Sequence, residues 1–158
     1  MSGSHTNFNY ERDLICNLIA RTSGERLVAI VNSLLDDNVI PEPIPVREPQ
    51  VGTVQIQVRE PICRERFILA DALATTAEVT VNGRLGWAMR IGADPEAAMA
   101  AAVLDAWINS DSASGHSGGT ITQGVIDELV SIDEARRADD SALQAAILRT
   151  AIEFEELD

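Results

Sequence analysis

The stretch "AEVTVNGRLGWAMRIGADPEAA", residues 77–98, constrains the fold more than any other. It sets a β-hairpin directly before a helix, and Asn82-Gly83 lies between two apolar runs, the strongest short-range turn signal a sequence offers. Parity then decides which side chains share a face, because a shift of one residue moves every side chain to the other side of the sheet. A two-residue Asn82-Gly83 loop would put Val79 and Val81 opposite Leu85, Trp87, Met89 and Ile91, and neither face would be dry. A three-residue loop, Val81-Asn82-Gly83, gathers Ala77, Val79, Leu85, Trp87, Met89 and Ile91 on one face. Glu78, Thr80, Arg84, Gly86, Ala88 and Arg90 then form the other, and Gly83 takes the left-handed position of a G1 bulge. The three-residue loop is therefore expected.

Asp94-Pro95-Glu96 opens the following helix, with Asp as N-cap, Pro at the first helical position and Glu near the positive end of the dipole. The helix "PEAAMAAAVLDAWIN" is alanine-rich, so it can lie close to a sheet, and it is expected to cover the hairpin's apolar face. Upstream, "GTVQIQVRE" alternates Val54, Ile56 and Val58 with Thr53, Gln55, Gln57 and Arg59, the pattern of a half-buried antiparallel strand. "RFILADAL" suits a central strand. "PEPIPVREP", with four prolines in nine residues, is an extended connection or an edge strand. Ahead of it, "NYERDLICNLIARTSGERLVAIVNSLLDD" reads as two amphipathic helices broken at Ser23-Gly24.

"NSDSASGHSGGT" has the composition of a flexible linker. The remainder is helical in pattern, with one apolar patch of Ile126, Leu129 and Val130 and another of Ala142, Ala145, Ala146, Ile152 and Leu157. The expected organisation is an α+β core domain over residues 1–110, a Ser/Gly linker over 111–119 and a C-terminal helical segment over 120–158. The core is a small antiparallel sheet of about four strands, packed by helices and preceded by a helical hairpin. The C-terminal segment has two possible docks, its own domain or a neighbouring chain, and a partner chain is expected to take most of it.

Composition narrows the chemistry. The formal charge is −13, all twelve basic residues are arginine, and 46% of residues are hydrophobic. Absence of lysine removes a Schiff-base lysine, a lysine general base and the lysine of a phosphate-binding P-loop. The charge repels nucleic acid and ATP at long range. High apolar content with high charge fits a well-packed acidic monomer, or a subunit whose apolar surplus is covered by another chain. Cys16 and Cys63 have no metal or redox spacing and are expected to be reduced, buried thiols. The N-terminus lacks the basic start of a signal peptide and no run is long enough to span a bilayer, so a cytoplasmic location is expected.

Few residues suit catalysis. His5 is expected in an unstructured tail and His116 in the linker. No nucleophile–base arrangement, metal-ligand cluster or phosphate loop is present in the sequence, so no catalytic, cofactor-binding or metal-binding residue is expected. The densest polar stretch, "VREPICRER", carries Arg59, Arg64, Glu65 and Arg66, either a partner or anion contact or a solvated turn with local ion pairs. Asp71, inside an apolar strand, needs a partner or exposure. The candidate partner-contact residues are Arg59, Arg64, Arg66, Arg90, Ile126, Leu129, Val130, Ala142, Ala146, Ile152 and Leu157.

The ordered segments "PQVGTVQIQVRE", "ERFILADAL", "TTAEVTV", "LGWAMRIGAD" and "VLDAW" resemble the PhnG family, a small subunit of the bacterial carbon–phosphorus lyase core complex. The chain departs from that pattern at Gly92-Ala93-Asp94, where an arginine is common, and at Leu69-Ala70-Asp71. The resemblance implies a complex with PhnH-, PhnI- and PhnJ-like subunits, PhnI being the direct partner. That complex displaces adenine from ATP with an alkylphosphonate to give ribose 1-alkylphosphonate 5-triphosphate. ATP and phosphonate are then substrates of the complex, and this chain is a non-catalytic or activating subunit of a transferase without a cofactor of its own. The alternative is an acidic homodimeric α+β binding or regulatory module without enzymatic activity.

Overall fold

Ser23 ends one helix and begins the next. In a computed structural model that describes residues 5–114 and 119–149, helix α1 (His5–Arg21) stops there and α2 (Gly24–Asp36) starts, with the Ser23 hydroxyl accepting from the Arg26 N–H. α2 buries Leu27, Ile30, Val31 and Leu34, the i, i+3, i+4, i+7 stripe of an amphipathic helix. The two expected N-terminal helices are thus present, and α1 reaches back to His5, which was expected in an unstructured tail.

Three antiparallel strands follow in the order β1 (Ile44–Arg59), β2 (Arg66–Val81) and β3 (Arg84–Ile91). The fold class is α+β as expected, with three strands because the two expected segments between Arg66 and Val81 form one continuous β2. Helix α3 (Pro95–Ser114) begins as expected, the Asp94 carboxylate accepting from the Ala97 N–H at 3.0 Å. The Thr75 hydroxyl donates to the Gly92 carbonyl at 2.7 Å and accepts from the Asp94 N–H at 3.1 Å, which fixes the step from β3 to α3.

α3 is the centre of the molecule. From Ala97 to Ile108 every side chain but Met99 and Asp105 is buried, the signature of a helix covered all round. The sheet lies on one side of it. α1, α2 and the first half of α4 (Gly119–Arg149) complete one core that joins Leu18, Leu27, Val79, Leu104, Trp107 and Leu129.

The hairpin does not have the expected loop. Val81 pairs with Arg84, Thr80 with Leu85, Val79 with Gly86 and Glu78 with Trp87. The turn is the two-residue Asn82-Gly83, and both residues have positive φ, 51° and 72°. This is the type I′ geometry, whose twist matches that of the flanking strands. Ala77, Val79 and Val81 therefore share their face with Gly86 and Ala88, against α3, and Leu85, Trp87, Met89 and Ile91 stand on the opposite face. Parity favoured the other loop only on the premise that the bulkiest side chains pack within the chain.

Small residues make the contact instead. A Cβ on Gly86 would lie 2.1 Å from the Ala102 carbonyl oxygen, so strand and helix touch backbone to backbone. A first prediction follows at the turn, where Gly83 has open space around it but a left-handed backbone. Gly83→Val should cost about 1–2 kcal/mol, read as a shift in denaturation midpoint, from conformation alone. An unchanged midpoint would contradict the left-handed assignment.

Candidate functional site

The chemistry-bearing residues do not converge. Among the described residues no group of three or more His, Cys, Asp and Glu side chains is placed to hold a metal ion. Cys16 and Cys63 are exposed rather than buried, because Cys16 borders a cleft on α1 and Cys63 sits on a turn away from the core. His116 lies outside the described residues. Asp71 is exposed on β2, which is how its charge is accommodated inside an apolar strand.

The cleft beside Cys16 has a volume of about 300 Å³ and runs between α1 and the edge of β3, with Ile19, Trp87, Met89 and Asp105 in its walls. The Asp105 carboxylate accepts from the Trp87 N–H and from the Asn109 amide, both at 3.1 Å. The Trp87 N–H points away from β2, so Asp105 occupies a position that a further strand would need, and β3 is guarded against edge-to-edge pairing there.

The outer face of β3 is apolar and open. Leu85, Trp87, Met89 and Ile91 are between 46 and 68% exposed. Cross-strand register continues the face over β2 and β1. Ile91 pairs with Ala74, Ala72 with Val54, Ala70 with Ile56 and Phe67 with Val58. The alternation of Val54, Ile56 and Val58 is the pattern of a strand with one covered face, yet Ile56 and Phe67 remain exposed. Of the charged residues, only Arg47 and Glu78 fall on this face within the paired region up to Phe67, and they are cross-strand partners. Thr76, Glu78 and Thr80 of β2 interrupt this face beside Met89, Trp87 and Leu85, but exposed apolar surface with so little charge marks protein interaction.

The arginines expected at a contact part company. Arg59, Arg64 and Arg66 are exposed around the β1–β2 turn, where the Glu60 carboxylate accepts from the Ile62 and Cys63 N–H groups. Arg90 instead closes α1. Its guanidinium donates to the Ile19 carbonyl at 2.9 Å and to the Thr22 carbonyl at 2.7 Å, a cation at the negative end of a helix. Burial lowers its pKa, and the nearby Asp94 carboxylate opposes that shift.

α4 divides in two. Val125, Leu129 and Asp133 are buried against the body, Leu129 completely, with Ile126 half-buried and Val130 packed on the core. This half docks on its own chain, contrary to the expectation that a partner takes most of the segment. The Asp133 carboxylate meets Arg137 at 2.7 Å, Arg136 at 3.0 Å and Arg21 of α1 at 3.9 Å. The hydrogen bond from Arg136 holds its carboxyl below the usual carboxylate range; the charges of Arg137, Arg136 and Arg21 act with it and outweigh desolvation. Beyond it the helix is exposed, including Ala142, Ala146, Leu143 and Ile147. Ile152 and Leu157 lie outside the described residues.

Sequence reasoning placed the outer face of β3 in the core and did not foresee the helix-capping role of Arg90. The signals for the first were present: Asn-Gly at the turn, and Gly86 and Ala88 at the spacing of a surface made for an alanine-rich helix. No helix among the described residues is long and apolar enough to cross a membrane. No match was found among curated proteins. The family model for the phosphonate metabolism protein PhnG matches residues 10–157, nearly the whole chain, and with its sheet, helices and open apolar face now described, the chain belongs to the PhnG family of phosphonate metabolism proteins.

Proposed function

We propose that this chain is a non-catalytic or activating subunit of a carbon–phosphorus lyase core complex. In that role it supports the displacement of adenine from ATP by an alkylphosphonate, which yields ribose 1-alkylphosphonate 5-triphosphate. A PhnI-like subunit is its direct partner and supplies the reacting groups, with PhnH- and PhnJ-like subunits in the same assembly. The observation that carries this reading is the uncovered outer face of Leu85, Trp87, Met89 and Ile91. An apolar sheet face of this kind is the surface of a subunit, and family membership supplies the process it serves. The charge of −13 agrees, since a chain that repels ATP and phosphonate suits a supporting place better than the substrate site.

The test is reconstitution. Alone, the chain should release no adenine from ATP in the presence of methylphosphonate. Added to a PhnI-like subunit, it should raise adenine release and co-elute with that subunit on a sizing column. Adenine release by the chain alone, tracking with its own peak, would refute the supporting role. Failure to co-elute with any of the three proposed partners would refute the complex.

A further inference from the structure

β3 is eight residues long, whereas β1 and β2 each have sixteen. Pairing with β3 ends where the Gly92 N–H donates to the Leu73 carbonyl. Beyond that point Thr53–Arg59 and Arg66–Leu73 continue as a ribbon of two strands only. At about 3.3 Å per residue the ribbon extends roughly 25 Å past the three-stranded sheet. A two-stranded ribbon alone in water is marginally stable at best.

This ribbon exposes apolar side chains on both sides, one side largely apolar and the other mixed, with Ile68 and Leu73 among Thr53, Gln55, Gln57 and Asp71. One side carries Val54, Ile56, Val58 and Phe67. A register shift between Ile56 and Gln57 turns Ile68 to the side of Gln57, and Leu73 is on that same side opposite Thr53. Phe67, Ile68, Leu69 and Leu73 are all about half exposed. From Ile44 to Leu73 four arginines balance four carboxylates, so the arm is a neutral extension of a strongly acidic chain. At its tip Glu60 is turned onto backbone N–H groups, which leaves Arg59, Arg64 and Arg66 exposed with Glu65 as the remaining acid.

We infer that the arm is clasped on both faces by a non-identical protein subunit, in a cleft with apolar walls against Phe67 on one side and Ile68 and Leu73 on the other, and with carboxylates at the end that receives the arginine tip. The inference rests on the subunit reading above and adds the element that is gripped. A second copy fits less well. A two-fold contact between arms covers the same one face of each, and Ile68 and Leu73 would stay wet if Phe67 were covered. The chemistry of the tip, basic on an acidic chain, selects a partner with acidic groups in that position.

The experiment uses the full chain with Cys16→Ser, which leaves Cys63, at the arm's tip, as the only thiol. Its rate of alkylation by a maleimide is measured with the chain alone and in complex with the proposed partner subunits. The expected result is at least a tenfold slowing in the complex. Two further variants, Phe67→Glu and Ile68→Glu, probe the two faces separately. Both lie beyond the three-stranded sheet, so each should leave the thermal midpoint of the free chain unchanged and reduce co-elution at least tenfold. If the unsubstituted chain co-elutes but Cys63 reacts as fast as before, or only one of the two variants weakens assembly, the two-sided clasp is overturned and the subunit reading survives. If the chain alone is a dimer with Cys63 already protected, a second copy holds the arm and the proposal is wrong. Failure of the unsubstituted chain to co-elute removes the subunit reading itself.

Discussion

Gly86→Ala should destabilise the chain by at least about 3 kcal/mol, more than most single methyl additions to a core. The added Cβ would meet the Ala102 carbonyl oxygen at 2.1 Å, the Ala106 nitrogen at 2.5 Å and the Ala106 Cβ at 2.6 Å. Two of these are backbone atoms of α3 and cannot rotate away, so the strand and the central helix must separate. That separation opens the packing of Val79, Val81 and Leu104 together. For a domain with a total stability of about 5–15 kcal/mol the loss is a large share. Urea denaturation followed by far-UV circular dichroism measures it. A change below about 1 kcal/mol would mean that β3 does not lie against α3 at this distance.

The second large effect separates the two tryptophans. Trp107 is 5% exposed in the core, and Trp107→Ala should cost about 3–5 kcal/mol of folding stability through loss of burial and the cavity left behind. Trp87 is 50% exposed, and Trp87→Ala should cost the isolated chain less than about 1 kcal/mol. Its effect belongs in assembly. A buried aromatic at the centre of an interface contributes about 2 kcal/mol or more, so co-assembly should weaken by roughly 30-fold. Denaturation of each variant, alongside titration against the partner subunit, gives both numbers. Equal stability losses for the two variants would mean that Trp87 is covered within the chain, and the open face would disappear with it.

The same contrast marks the limit of what side-chain patterning can say. The break at Ser23-Gly24, the Asp94 cap, the Pro95 start and the stripe of α2 were legible because each is a local match between residue type and backbone geometry. The alternation of Val54, Ile56 and Val58 was legible too, as a strand with one apolar face. What covers it was not, since alternation reports that a face is apolar and says nothing of which chain lies on it. The arginines divided for a similar reason. Arg59, Arg64 and Arg66 stayed exposed around a turn, whereas Arg90 found the end of a helix about seventy residues away in sequence.

By itself the sequence determined most of the elements, their order and the family pattern, because capping, turn chemistry and periodicity act over a few residues. It also determined, through Asn82-Gly83, the turn that sets the hairpin's parity, since two consecutive residues at positive φ suit that pair and few others. Only the tertiary structure decided which face of the hairpin lies inside. Burial alone would have chosen the bulky face. Backbone approach chose the small one, because Gly86 and Ala88 let an alanine-lined helix come into contact where leucine and tryptophan would hold it off. The bulky side chains were left facing outward, on the surface from which the chain's place in a larger assembly is inferred.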